Sequence, residues 1–580
     1  MGARSAPRLL PLHAVRAGAP VEDGRVRRRH RASPGRVLHH HDAEGELLQL
    51  PSRPGTRPGA AAAAGGVLGV LVRRAEAGAP ARPAGRRLGP GGLWLLRDGK
   101  KKLNLRQRAL SGVRWTAAEN LFNVVSGIVF IAVLARLLQP QAFGLMAIAA
   151  VVLGFSQFFA DMGISNGIIH RQDVSESQLS TLYWVNVAAG LVVFGVVVAL
   201  AGPLATFYRE PELASVIMVA ALTLLVQPFG QQFGVLLQKE LHFNLLARIG
   251  MASRFCGLVA AVLLAWSGAG VYSLVYSAVL TAALETALTV VFGRRIHRPR
   301  LHFRPAEVRH FFSFGAWQMG EAVINFFNAN LDSLLIGRLA GTEALGLYSV
   351  ARQLVMRPAE IVNPIVTRVS TPVMAKVQDD LARLRAIYLQ TINHLSSLNF
   401  PIYAAIAVFA REITLLLFGE KWLAAVPLIQ ILAAYAAVRS TANPVGSLLL
   451  ARGRVRRGFW WNVGLLVLLP AFIAVGATWG VAGVAWSLLA MQCLLLVPGW
   501  LLLVRPLCGA GFRQYHAQLI VPALAAAAAA LAGFLAASAV PGTIPRLAAG
   551  LAAGAAVTLV VYRAWNREFL EALAAMVRRG

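Results

Sequence analysis

Trp115-Thr-Ala-Ala-Glu119-Asn-Leu-Phe-Asn123 returns as Trp317-Gln-Met-Gly-Glu321-Ala-Val-Ile-Asn325, and the same step of 202 residues carries Arg136 onto Arg338 and Gly144 onto Gly346. Ser111/Ser313, Ala142/Ala344, Leu145/Leu347 and Ala149/Ala351 keep the step. Both copies lie in strongly apolar segments. A membrane protein made of two like halves carries its substrate between them, at the interface the duplication creates. That points to transport rather than to a fixed catalytic centre. The copies also diverge: Asn328, Asn330 and Asp332 stand where the first copy has Ser126, Ile128 and Phe130.

Around this repeat the chain is 57% apolar and 14% charged, outside the mixture of a soluble globular protein. The net charge of +30 does not make a nucleic-acid binder, because no polar domain presents a basic face beyond the first hundred residues. Residues 1–102 hold 20 Lys and Arg against 7 Asp and Glu, and the remaining excess follows membrane topology. Rich in Arg, Pro, Gly and Ala, with His39, His40 and His41 in a row, residues 1–102 show no helical or strand periodicity. They are expected to be disordered, or an extension preceding the natural start. The change of character comes near Lys102. Cys256, Cys493 and Cys508 lack metal-ligand spacing and predict neither a disulfide framework nor a metal site.

From Val113 onward, apolar segments of roughly 20 residues alternate with short polar joints, the pattern of a helical membrane bundle. Fourteen spans are expected, with cores from 113–138 and 143–167 at the start to 517–538 and 546–564 at the end. Alternate joints differ in basic content. Arg294, Arg295, Arg298, Arg300, Arg304 and Arg309 share one joint, Lys376, Arg383 and Arg385 another, and Arg452, Arg454, Arg456 and Arg457 a third. By the positive-inside rule these face the cytoplasm, and the joints holding Arg209, Arg338, Arg411, Lys421 and Arg546 face outward. Both termini then lie inside. The division is an N-lobe of six helices over 103–293, a basic linker over 294–310, a C-lobe of six over 311–504, and two further helices with a cytoplasmic tail over 505–580. The repeat copies open the two lobes in the same direction, so the duplication is parallel.

A charged side chain at mid-membrane costs about 2.5–3.5 kcal/mol on insertion scales, so each one needs a wet cavity or a partner. Arg114, Glu119, Glu285, Glu321, Arg368 and His394 are such residues. Arg254, Arg352, Arg357 and Arg439 are the candidates for lining a cationic cavity, since guanidinium forks match phosphate oxygens. Snorkelling or structural pairing, as of Arg357 with Glu360, is the alternative reading. Asn328 and Asp332 are the candidate ion-coupling site: their oxygens suit Na⁺, and a carboxylate also carries a proton. Glu119, Glu321, Arg136 and Arg338 are read as lobe-symmetric packing or gating contacts. Pro228, Pro358, Pro364, Pro401, Pro427, Pro444 and Pro470 interrupt spans as possible hinges. No phosphate-cradling glycine loop and no nucleophile elbow is present, and the outward joints leave no room for a catalytic domain. No enzyme and no cofactor is expected.

Asp161-Met-Gly-Ile-Ser-Asn-Gly-Ile-Ile-His-Arg171, Thr181-Leu-Tyr-Trp-Val-Asn186, Gly230-Gln-Gln-Phe233, Gln238-Lys-Glu-Leu-His-Phe-Asn244, Asn363-Pro-Ile-Val-Thr-Arg368, Phe418-Gly-Glu-Lys-Trp422 and Asn443-Pro-Val-Gly-Ser-Leu448 complete the reading. In these stretches, across about residues 103–515, the chain resembles the polysaccharide flippases of the multidrug/oligosaccharidyl-lipid/polysaccharide exporter superfamily, nearest their colanic-acid-exporter subgroup. The resemblance implies an all-α, V-shaped, two-lobed bundle in a bacterial inner membrane. It also implies translocation of an undecaprenyl-diphosphate-linked oligosaccharide by alternating access on an ion gradient, alongside membrane lipids and polymerase or export machinery. It transfers no invariant catalytic set. A sister-family multidrug exporter would favour an acidic cavity, a polymerase or ligase would need a large outward loop, and an uncoupled scramblase or scaffold would need no ion site.

Overall fold

The computed structural model describes residues 91–161, 164–170, 174–304 and 309–579. The reading of residues 1–102 lies, up to residue 90, outside the described residues; residues 91–102, expected to lack helical structure, instead form the first turns of a helix that runs on into the first span. Among the described residues every regular element is helical. In the first lobe these are α1 (Gly91–Leu137), α2 (Pro140–Asp161), α3 (Ile164–His170), α4 (Glu176–Tyr208), α5 (Glu212–Val226), α6 (Pro228–Lys239), α7 (Phe243–Trp266) and α8 (Val271–Gly293). In the second they are α9 (Arg309–Leu339), α10 (Gly341–Lys376), α11 (Leu381–Val408), α12 (Ala410–Leu417), α13 (Val426–Ser440), α14 (Pro444–Ala451), α15 (Val455–Ala477) and α16 (Gly480–Leu494), whose path continues helically to Cys508. After them come α17 (Phe512–Ser538), α18 (Thr543–Trp565) and a terminal α19 (Arg567–Arg579), a helix where the sequence reading has only a tail.

Ten of the described helical segments are long and apolar enough to cross a membrane. Two bent pairs, α5 with α6 and α11 with α12, pass only together. The two remaining expected spans, α9 and α10, are not among these. They carry the polar run from Asn325 to Asp332 and the charges from Arg352 to Arg368, so their passage depends on what packs around them. The first bend, of 46°, falls at Pro228, which has no N–H to continue the preceding helix. The second, of 73°, falls at Phe409 without a proline. Pro358, Pro364, Pro401 and Pro470 lie inside unbroken helices.

The duplication has a direct packing consequence where α2 crosses α10. A Cβ added to Gly144 would lie 1.8 Å from the Thr342 carbonyl oxygen, and one added to Gly346 would lie 1.8 Å from that of Pro140. Pro140 and Thr342 are related by the same step as the glycines. The two helices thus meet about a local two-fold, each glycine admitting the other helix's first turn, as small residues do where membrane helices approach closely. The core around this crossing is symmetric as well: Leu134 and Ile336, Ile148 and Val350, and Ala149 and Ala351 are all fully buried.

At one end of the bundle the lobes hold each other's helix termini. The last carbonyls of α1 lack intrahelical donors. Trp422 Nε1 donates to Ala135 O at 2.8 Å, and Lys421 Nζ donates to Arg136 O and Leu138 O at 2.9 and 2.7 Å. Arg136 donates in return to Leu416 O and, at 3.2 Å, to Leu417 O at the end of α12. On the symmetric side Tyr208 donates to Leu334 O at 3.3 Å and Arg338 stacks 5.3 Å from the Phe207 ring. Helices α17 and α18 pack on α11, where Tyr562 donates to Ser397 O at 2.8 Å and Asn566 bonds both Asn393 and Ser397. At the opposite end the basic linker straps onto α4: Trp184 Nε1 donates to Arg300 O at 2.9 Å, and the Arg300 amide to Ser180 Oγ at 3.1 Å. His297, within the strap, is buried, and burial lowers its pKa from the usual 6.5.

Candidate substrate cavities

One cavity lies within the C-lobe and another between the N-lobe and α9, and their linings differ in charge. The C-lobe cavity, of about 840 Å³, is walled by α10, α11, α13–α16 and the start of α17. Arg352, Arg368 and Arg439 reach it, against the single carboxylate of Glu360, with Asn363, Asn443, Asn462 and Gln492 as uncharged polar groups and Trp461 and Trp500 as aromatic walls. The second, called the N-lobe cavity for the helices that supply its polar groups, is about 550 Å³, is lined by α2, α5, α6 and α8 and closed by Met319 and Ala322 of the C-lobe's α9, and contains Asp161 and Glu285 but no lysine or arginine.

Arg352 is anchored. Its Nε lies 3.2 Å from Asp332 Oδ2, and it also donates to Ala329 O. Tyr348, one helical turn before Arg352, donates to the same Asp332 oxygen at 2.7 Å, while Asp332 Oδ1 accepts from the Ser333 amide at 2.7 Å. The buried carboxylate is therefore neutralised by a guanidinium that also lines the cavity. Arg439 is less committed, donating among the described residues only to Tyr435 Oη, at 3.0 Å. Arg368 makes no ion pair among the described residues.

Of the four arginines singled out in the sequence, the structure brings Arg352 and Arg439 to one cavity and leaves the other two elsewhere. Arg357 pairs with Glu360 at 3.0 Å and faces Gly127 of α1. Arg254 lies in the N-lobe, 3.7 Å from Glu119 and hydrogen-bonded to Asn123. The reason is helical geometry: α7 packs beside α1, so the repeat residues on α1 supply Arg254 with its partners, and Arg248 stacks 4.7 Å from Trp115 on the same seam. Arg368 was visible in the sequence as an intramembrane charge, but only the fold shows that it shares a cavity with Arg352 and Arg439.

In the second copy the seam is made of amides. Asn462 of α15 donates to Asn325 Oδ1 at 2.8 Å, and Asn328 donates to Asn462 O at 2.8 Å, with Asn328 Oδ1 buried and unpartnered. Asn328 sits one turn before Asp332 but is turned toward α15, while Asp332 is turned toward α10. Glu321, the repeat partner of Glu119, makes no ion pair among the described residues. The side chain of Trp317 lies outside the described residues. Nor do three His, Cys, Asp or Glu side chains come together to hold a metal among the described residues.

The N-lobe network was not legible as a site. Gln231 donates to Asp161 and, at 3.3 Å, to Ser165 Oγ, and accepts from Asn186 at 3.3 Å. The four residues come from three of the stretches that carried the family resemblance, Asp161 and Ser165 sharing one. The signal was there, in polar residues of three separate apolar segments, but their convergence needs the packing of α2, α3, α4 and α6.

A helical bundle with two internally related lobes, a close crossing between them and polar interior cavities defines a multi-pass membrane transporter. Its architecture matches solved transporters of the superfamily named above. The lipid II flippase MurJ in an inward closed conformation aligns with a TM-score of 0.66 at 11% identity, over 78% of this chain and 99% of that one. A multidrug-resistance transporter in an inward-facing conformation aligns at 0.50 and 13% identity, over 66% and 93%. These likenesses concern the fold. A family model described as polysaccharide biosynthesis protein matches residues 133–427. Over 421 residues the chain is 34% identical to the lipopolysaccharide biosynthesis protein WzxC of Escherichia coli K12, covering 72% of this chain and 86% of the relative. It is 33% identical to the teichuronic acid biosynthesis protein TuaB of Bacillus subtilis 168, over 73% and 88%. The chain belongs to the polysaccharide biosynthesis protein family, the polysaccharide exporters of the superfamily.

Proposed function

We propose that this protein flips an oligosaccharide repeat unit, carried on undecaprenyl diphosphate, from the inner to the outer leaflet of a bacterial inner membrane by alternating access. The observation that carries this reading is the C-lobe cavity: three guanidiniums against one carboxylate, in a bundle interior where uncompensated charge is costly. Arg439 and Arg368 take the diphosphate oxygens, and Arg352 joins them from its seat on Asp332. The same charge disfavours a cationic drug as substrate. With both termini and the basic joints in the cytoplasm, the clamped ends of α1 and α9 face outward. The lobes move as residues 103–293 and 311–504, joined by the linker 294–310, with 505–580 as the appended pair. Polymerase and export machinery are the partners that would receive the product.

Coupling to an ion gradient is assigned to Asp332 with Asn328. A diphosphate that draws Arg352 away leaves a buried carboxylate without its cation, which Na⁺ or a proton then replaces. Asn328, one turn earlier, contributes its unpartnered Oδ1 as a second oxygen when its side chain turns from α15 toward Asp332. The test uses the full chain in proteoliposomes. Arg439→Ala is expected to weaken uptake of undecaprenyl-diphosphate oligosaccharide about tenfold, the size of one charge-assisted hydrogen bond, and Arg368→Ala/Arg439→Ala more than that. Unchanged uptake in the double variant sinks the assignment of this cavity to the head group.

A further inference from the structure

The N-lobe cavity has no part in holding a diphosphate, since Asp161 and Glu285 line it and no lysine or arginine does. Its polar wall is ordered. The bend at Pro228 places Gln227 and Gln231 on the cavity, Gln157 donates to Gln227, and Gln231 is oriented by Asp161, Ser165 and Asn186. Asn186 is buried, and its Oδ1 has no partner. Asp161 is the last residue of α2, where the helix dipole disfavours a carboxylate, and Glu285 lies mid-way along α8 with no ion pair among the described residues. Both positions are costly for charge, so the cavity they face must hold water or a polar ligand. Phe158 supplies an apolar face on the same wall.

Resting on the reading of the C-lobe cavity given above, we infer that the N-lobe cavity is the glycan subsite, taking uncharged, hydroxyl-bearing sugar and rejecting anionic sugar at that position. Amides and carboxylates offer two atoms each in one plane, so one side chain meets two neighbouring hydroxyls, with amides both donating and accepting and carboxylates only accepting. A ring face packs on Phe158. Preformed amide orientation limits what must be ordered on binding. A uronate instead brings a carboxylate beside Asp161 and Glu285 in a region of low dielectric, where like charges repel strongly. The diphosphate in the C-lobe and the sugar between the N-lobe and α9 tie the substrate across the interface.

The test compares three probes on the full chain in proteoliposomes: undecaprenyl diphosphate, its galactosyl derivative and its galacturonosyl derivative. The wild type is expected to prefer galactosyl over galacturonosyl lipid by about tenfold. Glu285→Gln brings that ratio close to one while leaving bare undecaprenyl diphosphate unaffected, and Gln157→Ala weakens the galactosyl probe alone. Asp161→Asn repeats the first result at the other carboxylate, and because Glu285 lies outside the Asp161 network its variant reads selectivity even where Asp161→Asn fails to fold. A wild type indifferent to the sugar overturns this inference alone, as does an equal loss for all three probes in Glu285→Gln. Loss of gradient dependence with selectivity intact marks a cation site and overturns it too. Failure of the bare lipid to bind the wild type overturns the C-lobe reading together with this one.

Discussion

The two copies of the repeat open their lobes in the same way and settle their charges differently. On α1, Glu119 and Asn123 meet Arg254 across the seam with α7, and the charges are compensated between neighbours within the N-lobe. On α9, the seam with α15 is built from Asn325, Asn328 and Asn462, and the charge has moved further along the helix to Asp332. There it meets Arg352 of α10, which also belongs to the cavity. A shared ancestor fixed where the helices touch, and divergence decided which lobe keeps a guanidinium facing its interior. Charge that is compensated at a seam supports packing, whereas charge tethered beside a cavity remains available to a substrate.

The largest expected effect comes from breaking the C-lobe side of this contrast. Asp332→Asn leaves the Arg352 guanidinium without its buried partner, and losing one member of a buried pair costs about 3–5 kcal/mol. Thermal unfolding in detergent should show a clear drop, partly restored by Asp332→Asn/Arg352→Gln. If the single variant is as stable as the wild type, the pair is not holding α9 to α10. The crossing common to both lobes comes next. Gly144→Ala and Gly346→Ala each drive a methyl group into the opposite helix's backbone and are expected to cost about 1–3 kcal/mol, by similar amounts. Gly320→Ala, on α9 with open space around it, is the control. Markedly unequal losses would count against the local two-fold. The N-lobe side is the weakest: the Glu119–Arg254 pair is 3.7 Å long and partly exposed, so Glu119→Gln should change stability by less than about 1 kcal/mol. A loss as large as that of Asp332→Asn would erase the difference between the lobes.

Much of this architecture is legible in the order of residues because the bilayer is a severe solvent. Each crossing needs about 20 apolar residues, so segments such as 179–201 and 246–267 announce themselves, and a polar residue inside one stands out. Arg352, Arg439 and Asp332 could be singled out in that way. Which charges meet could not, because partner choice depends on helix rotation: Arg254 and Arg439 look equivalent by depth, yet one faces Glu119 and the other a cavity. Asp161, Gln231 and Asn186 carried resemblance without an evident role, since their hydrogen bonds join segments separated by 45 and 70 residues. Arg136 shows the same limit, as the carbonyls it reaches lie at the end of α12.

By itself the sequence determined the class of protein, the duplication, the run of membrane segments and the presence of costly interior charge, because hydropathy and spacing are properties of the chain alone. Only the tertiary structure decided that Gly144 and Gly346 serve one reciprocal crossing, that a basic cavity lies in the C-lobe and an acidic, amide-lined cavity between the N-lobe and α9, and that Asp332 is matched to Arg352. Those outcomes depend on which faces of the helices turn toward each other, and that is set by packing summed over the whole bundle rather than by any segment within it.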